Sequence, residues 1–138
     1  YGIMTTKGIN NGSDHFGIRA IRSEKFKYIW NLTPEVEFRN VCMTAPEFVS
    51  WEKQAQAGDK KDKALVQRYK IRPPVELYDV VNDPLELKNL ADDPKYRNVR
   101  IDLKKRLTAW MEACHDAGQE TELRALIGIF SQQCGAFA

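Results

Sequence analysis

Ser13, Asp14 and His15 bring the side-chain types of a serine hydrolase together within three positions. That chemistry needs a hydroxyl nucleophile held against an imidazole base, which a carboxylate orients in turn. Because the side chains of consecutive residues point away from one another, these three cannot build that geometry among themselves. Asp14 and His15 can still each contribute one polar contact to a shared pocket.

The cysteines Cys42, Cys114 and Cys134 form a second set with chemical potential. Their spacing contains no CxxC pair, and the chain has only two histidines, so no zinc motif is present. Cys42 also lacks the helix or histidine partner that marks a cysteine nucleophile. We therefore expect buried, unreactive thiols. A disulfide between Cys114 and Cys134 is an alternative if the protein is exported.

An acidic segment lies between residues 76 and 93. It lacks the spacing of a calcium loop, Asp83 precedes Pro84 in a turn, and Asp93 suits the cap of a helix. We therefore expect turns and caps, and no metal site, from its acidic residues, which include Asp79, Asp83, Glu86, Asp92 and Asp93.

The composition of the 138-residue chain is that of one globular domain, with 43% hydrophobic and 29% charged residues. A net charge of +2 is too small to indicate a nucleic-acid partner or an anionic membrane surface. The longest apolar run, residues 125–130, is far shorter than a membrane span.

Alternating apolar residues predict a β-meander over residues 1–31, with a polar, glycine-bearing loop over residues 8–15. A tight connection at Ser23-Glu24 joins the second strand to the third. We expect one face of each strand to be apolar. These faces consist of Phe16, Ile18 and Ala20 in the second strand, and of Phe26, Tyr28 and Trp30 in the third.

Residues 32–74 predict a helical excursion from the sheet. Pro46 suits the first turn of one helix and Gly58 its end, while Asp59 can cap a second helix that ends before Pro73-Pro74. The second helix is basic, which we interpret as a solvated face. The cationic residues of this helix and of the chain just after it are Lys60, Lys61, Lys63, Arg68, Lys70 and Arg72.

A strand over residues 75–80 precedes a long helix over residues 93–117, with Gly118 as its expected stop. A terminal helix is predicted over residues 120–132. The fold class is therefore α+β, a small antiparallel sheet packed against a long C-terminal helix, with a helical insertion. The stripe predicted to face the sheet consists of Tyr96, Val99, Leu103, Leu107, Trp110 and Cys114.

Two segments together resemble the sulfatases of the alkaline-phosphatase-like superfamily. Residues 76–91, ELYDVVNDPLELKNLA, resemble that family's ELYDL-xx-DP-x-E-xx-NLA signature near the C-terminus. Residues 17–29, GIRAIRSEKFKYI, are similar to the family's hairpin. Residues 5–13 resemble the heparan N-sulfatase branch in particular.

The resemblance implies a sulfuric ester hydrolase or sulfamidase that uses calcium and a formylglycine made from a C/S-x-P-x-R motif. This sequence has no such motif, since Cys42 has Thr44 where the proline should be. We therefore expect nucleophile and metal ligands in an N-terminal catalytic domain of the same polypeptide, and no activity from this chain alone. A periplasmic or otherwise exported parent is one option for its compartment.

Substrate contacts are expected from the loop of residues 8–15, because by analogy it faces the substrate cleft. His15, with Lys7 and Asn11 nearby, is the predicted contact to a sulfated carbohydrate. We also expect the isolated chain to self-associate through an apolar patch edged by Phe16, Ile18 and Trp30. The alternatives are a free-standing binding domain that uses the basic residues 59–72, or the C-terminal part of a sibling phosphate- or phosphonate-ester hydrolase.

Overall fold

A computed structural model describes residues 1–5, 12–13 and 15–124, which form the predicted α+β fold. The strands are β1 (Gly2–Thr5), β2 (Gly17–Arg22), β3 (Phe26–Asn31) and β4 (Val75–Asp79). The helices are α1 (Pro46–Gln56), α2 (Lys60–Lys70) and α3 (Arg97–Ala113). Short 3₁₀ turns, Val41–Thr44 and Pro94–Tyr96, precede α1 and α3.

The four strands are antiparallel, and their order across the sheet is their order along the chain. The predicted tight connection joins β2 to β3, with the Ser23 N–H donating to the Phe26 carbonyl at 2.8 Å. β4 returns after the insertion and pairs with β3, so that Leu77 lies opposite Tyr28. The predicted face of β3 is confirmed, because Tyr28 is buried and both Phe26 and Trp30 pack against the core.

The predicted face of β2 is wrong by one residue. Arg19 and Ile21 occupy the core side and are 1% and 2% exposed, whereas Ile18 and Ala20 are half-buried on the outer face, away from α3. The alternation of apolar residues predicted the wrong face because arginine is usually exposed to solvent. Here two carboxylates from beyond α3 neutralise it, as described below.

Phe16 lies just before β2 and belongs to a separate aromatic cluster. It is fully buried, with its ring 5.2 Å from Phe38 in an edge-to-face arrangement. Phe38 in turn packs near Tyr69 of α2, which lies 5.0 Å from Phe48 of α1. The cluster therefore fastens the insertion to the sheet, and Phe16 is not at the edge of an exposed patch as the sequence had suggested.

The two helices of the insertion begin and end near their predicted positions. Gly58 follows α1 at φ 101°, a left-handed conformation that an L side chain rarely adopts. The Asp59 carboxylate then caps α2 by accepting a hydrogen bond from the Asp62 N–H at 2.9 Å. The basic side chains of α2 are largely exposed, although Lys70 forms an ion pair with Glu52.

The long helix α3 covers the core side of the sheet. Leu103, Leu107 and Met111 are buried, and they pack in one cluster with Ile21 and Tyr28. The other predicted members Tyr96, Val99 and Trp110 are partly buried against that cluster. Met111 thus supplies the buried contact that the sequence assigned to Cys114, which is exposed.

The end of α3 also differs from the expected stop at Gly118. His115 adopts a left-handed conformation at φ 55°, and the Asp116 N–H donates to the Met111 carbonyl at 2.8 Å. The His115 N–H donates to Glu112, which completes a Schellman ending four residues after the last buried side chain. Histidine tolerates this conformation better than most residues, so no glycine is needed there.

Residues 119–124 are helical, and the rest of the predicted terminal helix lies outside the described residues. Cys134 also lies outside them, so the disulfide with Cys114 that the sequence left open is not tested. Cys42 and Cys114 are both exposed, which corrects the expectation that they are buried. No helix among the described residues is long and apolar enough to cross a membrane.

The segment that resembles the sulfatase signature completes the edge of the sheet. The Leu77 N–H of β4 donates to the Asn89 Oδ1 at 2.9 Å, and the Asn89 amide donates to the Val75 carbonyl at 3.1 Å. The Leu90 N–H donates to the Leu77 carbonyl at 2.8 Å. Asn89 thereby satisfies backbone groups of an edge strand, which is a structural role.

The acidic residues of this segment serve in turns and caps. Asp79 accepts a hydrogen bond from the Asn82 N–H at 3.0 Å, and Asp83 accepts one from the Lys88 N–H at 2.8 Å. Asp93 caps the turn before α3 by accepting from the Lys95 N–H. Within the described ranges, no group of three or more histidine, cysteine or acidic side chains is placed to hold a metal ion.

Candidate functional site

The connection between β1 and β2 lies at one end of the sheet and contains the predicted substrate contacts. The structure describes Gly12, Ser13 and His15 of this loop. Lys7 and Asn11 lie outside the described residues, as does Asp14, so their predicted contacts are not tested.

Ser13 clamps the loop to the segment that leads into the helical insertion. Its hydroxyl donates to the Glu37 carbonyl at 2.6 Å and accepts from the Arg39 N–H at 2.7 Å. Its own N–H donates to the Arg39 carbonyl at 3.2 Å. Because Ser13 is buried and its hydroxyl bonds two backbone groups, it acts as a structural anchor and not as a nucleophile.

His15 is held through its backbone. The Thr33 hydroxyl donates to the His15 carbonyl at 3.1 Å, and the adjacent Phe16 is fixed in the aromatic cluster. Thr33 itself is 1% exposed, so this contact belongs to the packed interior. The backbone of His15 is therefore restrained by Thr33 and by the buried Phe16, and the residue is half-buried.

Beside the clamp lies a recess of about 330 Å³ that joins the loop to the insertion. Gly12 contributes one wall, and Arg39 and Lys70 contribute cations. The Glu37 carboxylate lies between these cations, 3.3 Å from the Arg39 Nε and 3.8 Å from the Lys70 Nζ. Lys70 is also bound by Glu52 at 2.7 Å, whereas the Arg39 side chain remains 60% exposed.

Arg39 is a functional candidate that sequence reasoning missed. It belongs to residues 32–74, which match the sulfatase pattern only loosely, and no local motif marks it. Only the pairing of Ser13 with Arg39 brings it beside the loop. The arrangement presents an exposed guanidinium, which favours bidentate contacts with sulfate or carboxylate oxygens.

Two curated proteins match the chain, both ulvan-active sulfatases of Formosa agariphila. One is 36% identical over an alignment of 106 residues that covers 72% of this chain and 17% of the relative. The other is 34% identical over 131 residues, which are 94% of this chain and 23% of the relative. This chain is related to part of a sulfatase. It spans less than a quarter of the length of either relative, and no protein-family model matches it.

The comparisons support the sulfatase resemblance but not its assignment to the heparan N-sulfatase branch, since both relatives are named for activity on ulvan. The sulfatase-related segment has no C/S-x-P-x-R motif. The site that its described residues present consists of Gly12, Ser13 and His15 beside an exposed arginine. The arginine can bind an anion, but no nucleophile is assembled among the described residues.

A second polar cluster of the sulfatase-related segment is sealed from solvent. The Arg19 guanidinium binds Asp116 through two nitrogens and Glu122 at 2.8 Å, and the Thr5 hydroxyl donates to Glu122 at 2.7 Å. The hydrogen bond from Arg19 holds the pKa of Asp116 below its ordinary value, against the opposing effect of burial. Gly17 permits this packing, because a Cβ there would lie 2.8 Å from the Glu122 Cγ.

Proposed function

We propose that this chain is the C-terminal segment of a sulfatase that acts on a sulfated sugar. One observation carries the proposal: the alignments extend over 72% and 94% of this chain but over only 17% and 23% of the relatives. Such coverage is expected of one segment of a longer hydrolase. The C-terminal position rests on the resemblance of residues 76–91 to the signature near that end of sulfatases.

Ulvan is the first substrate to test, because both relatives are ulvan-active sulfatases. A heparan-type glycosaminoglycan is the second, on the resemblance of residues 5–13 to the N-sulfatase branch. A sulfate ester would yield a sugar hydroxyl and an N-sulfate would yield an amine. In both reactions the sulfuryl group passes to water and leaves as inorganic sulfate.

The reacting groups belong, in this proposal, to an N-terminal catalytic domain of the same polypeptide. Formylglycine cannot arise here, because the sequence lacks the C/S-x-P-x-R motif. The described residues also contain no group of three or more histidine, cysteine or acidic side chains placed to hold a metal ion. The segment itself contributes support for the fold and part of the wall of the substrate cleft.

The loop of residues 8–15 is proposed to contact the anionic sugar. His15 supplies an imidazole donor, with Lys7 and Asn11 as the further predicted contacts. The Ser13 clamp supports this role, since its hydrogen bonds hold the end of the loop around Ser13 beside the exposed Arg39. A restrained loop loses less conformational entropy on binding than a free one.

The test is a sulfate-release assay on the full-length polypeptide with ulvan, heparan sulfate and a chromogenic aryl sulfate. We expect release from ulvan and the aryl sulfate, and a C/S-x-P-x-R motif upstream of Tyr1. The 138-residue chain alone should match the buffer blank with or without calcium.

Two results would contradict the proposal. One is a full-length protein that hydrolyses phosphate or phosphonate esters in strong preference to sulfate esters, which would indicate a sibling hydrolase. The other is a genuine start codon near Tyr1, in a gene whose protein binds its target without hydrolysis, which would indicate a free-standing binding domain.

A further inference from the structure

A cavity of about 680 Å³ lies between the outer face of the sheet and helix α2. Its floor is formed by β3 and β4, one wall by α2 together with Trp51 of α1, and the opposite wall by the chain around Glu86. None of its lining residues belongs to the loop of residues 8–15. Its volume falls within the range of small-molecule sites, roughly 300–1,000 Å³.

The floor of the cavity is a polar network with fixed positions. Glu76 is 3% exposed and accepts a hydrogen bond from the Tyr78 hydroxyl at 2.5 Å and one from the Asn31 amide at 2.8 Å. Burial, together with the hydrogen bond to Glu76, raises the pKa of Tyr78 to about 12. The hydrogen bond from the phenol keeps Glu76 in place.

Arg72 extends over this floor from the end of α2. Its guanidinium lies 4.9 Å from the centre of the Phe38 ring and 5.7 Å from that of Tyr69, which fixes its plane. Its Nη1 is 3.6 Å from the Glu76 carboxylate, an ion pair too long for a hydrogen bond. The side chain of Arg72 is 24% exposed, and its buried Nε has no hydrogen-bond partner within the described part of the chain.

Arg68 provides a second guanidinium at the mouth. It is exposed, its side chain donates to the Glu86 carbonyl, and it forms no salt bridge among the described residues. The nearby Glu86 carboxylate is already bound by Lys27 at 2.5 Å. The cavity is lined by three cations and two carboxylates, so its net charge is +1 and a ligand meets an excess of positive charge; these residues are Lys27, Arg68, Arg72, Glu76 and Glu86.

The wall around Glu86 is formed in advance. Glu86 has φ 53°, a left-handed conformation that is uncommon for a residue other than glycine. Lys27 holds its carboxylate and Arg68 its carbonyl, so the turn is fixed from the floor and from the opposite wall. Such a wall needs little rearrangement to accept a ligand.

We propose that this cavity binds an anionic sugar unit, with the guanidinium groups of Arg68 and Arg72 on its sulfate or carboxylate and the ring of Trp51 against its pyranose face. Trp51 is 39% exposed, and its apolar surface matches the C–H face of a sugar ring. Planar guanidinium groups suit tetrahedral or planar oxyanions. The inference deepens the proposed function, on which the choice of a sulfated sugar rests.

The test titrates the 138-residue chain with sulfated ulvan tetrasaccharides in a calorimeter, with desulfated tetrasaccharides and inorganic sulfate as comparison probes. We expect saturable binding of the sulfated sugar, and a loss of affinity of about tenfold or more for Arg68→Ala and for Trp51→Ala. The control Arg106→Ala removes an equally charged side chain from α3, outside the cavity, and should change affinity less than about twofold. Circular dichroism melts confirm that each variant is folded.

The same variants in the full-length polypeptide give a second readout, retention on immobilised ulvan, which does not depend on sulfate release. Binding that persists without sulfatase activity would leave the inference standing and contradict the proposed function. Sulfatase activity with equal retention of wild type, Arg68→Ala and Trp51→Ala would overturn the inference alone. Equal losses for Arg68→Ala and Arg106→Ala would show that the binding is general charge attraction, which would also overturn the inference. A protein domain docked over the cavity in the full-length polypeptide would overturn it as well.

Discussion

The Arg19 guanidinium and the Asp116 carboxylate form a two-pronged ion pair in the interior, although 97 positions separate them along the chain. Glu122 forms an ion pair with the Nη1 of the same guanidinium. The pair thereby ties the segment that follows α3 to the centre of the sheet.

Arg19→Ala should destabilise the chain by about 3–5 kcal/mol, because it leaves two carboxylates in a buried site without their cation. Urea denaturation at neutral pH measures the loss. Arg106→Ala is the matched control, since its exposed pair with Asp102 should contribute less than about 0.5 kcal/mol. Similar losses for the two variants would show that the Arg19 cluster is solvated.

Acid should weaken the same network. The pKa of Asp116 is lowered in the folded state by its hydrogen bond from Arg19, so its contribution is fully present above its unfolded pKa of about 3.9. It is lost as the pH falls through the lower folded value. Urea melts between neutral pH and about pH 3 should therefore show a steeper acid decline for wild type than for Asp116→Asn. Parallel declines would contradict this assignment.

Leu107→Ala should cost about 2–5 kcal/mol, because Leu107 is fully buried between α3 and the sheet. Lys105→Ala, on the exposed side of the same helix, should change the free energy of unfolding by less than about 0.5 kcal/mol. Lys104 is a poorer control than Lys105, since its ammonium lies 5.6 Å from the Trp30 ring centre. Equal effects at positions 107 and 105 would show that the helix face is misassigned.

His15→Ala in the full-length polypeptide should lower kcat/KM on ulvan by about tenfold, with Arg39→Ala acting in the same direction. A small aryl sulfate, which cannot reach the loop, should be hydrolysed at nearly the wild-type rate. Lys105→Ala serves as a surface control on both substrates. If both substrates lose activity equally, or neither does, the loop is a structural turn and not a specificity element.

Local patterns determined much of this molecule. Alternation placed the third strand and its apolar face, Asp59 and Gly58 marked helix boundaries, and the spacing of Leu103 and Leu107 identified the buried face of α3. These features depend on interactions within a few residues, so the sequence expresses them directly. The resemblance of residues 76–91 to sulfatases likewise came from consecutive residues.

Tertiary structure decided what depends on distant partners. Arg19 faces the core only because Asp116 and Glu122 reach it from beyond α3, which no local period of β2 reveals. Arg39 lies beside the polar loop because its backbone N–H donates a hydrogen bond to the Ser13 hydroxyl, from the segment that leads into the insertion. In both cases a polar group is satisfied by a residue far along the chain, and the free energy of that contact outweighs the local pattern.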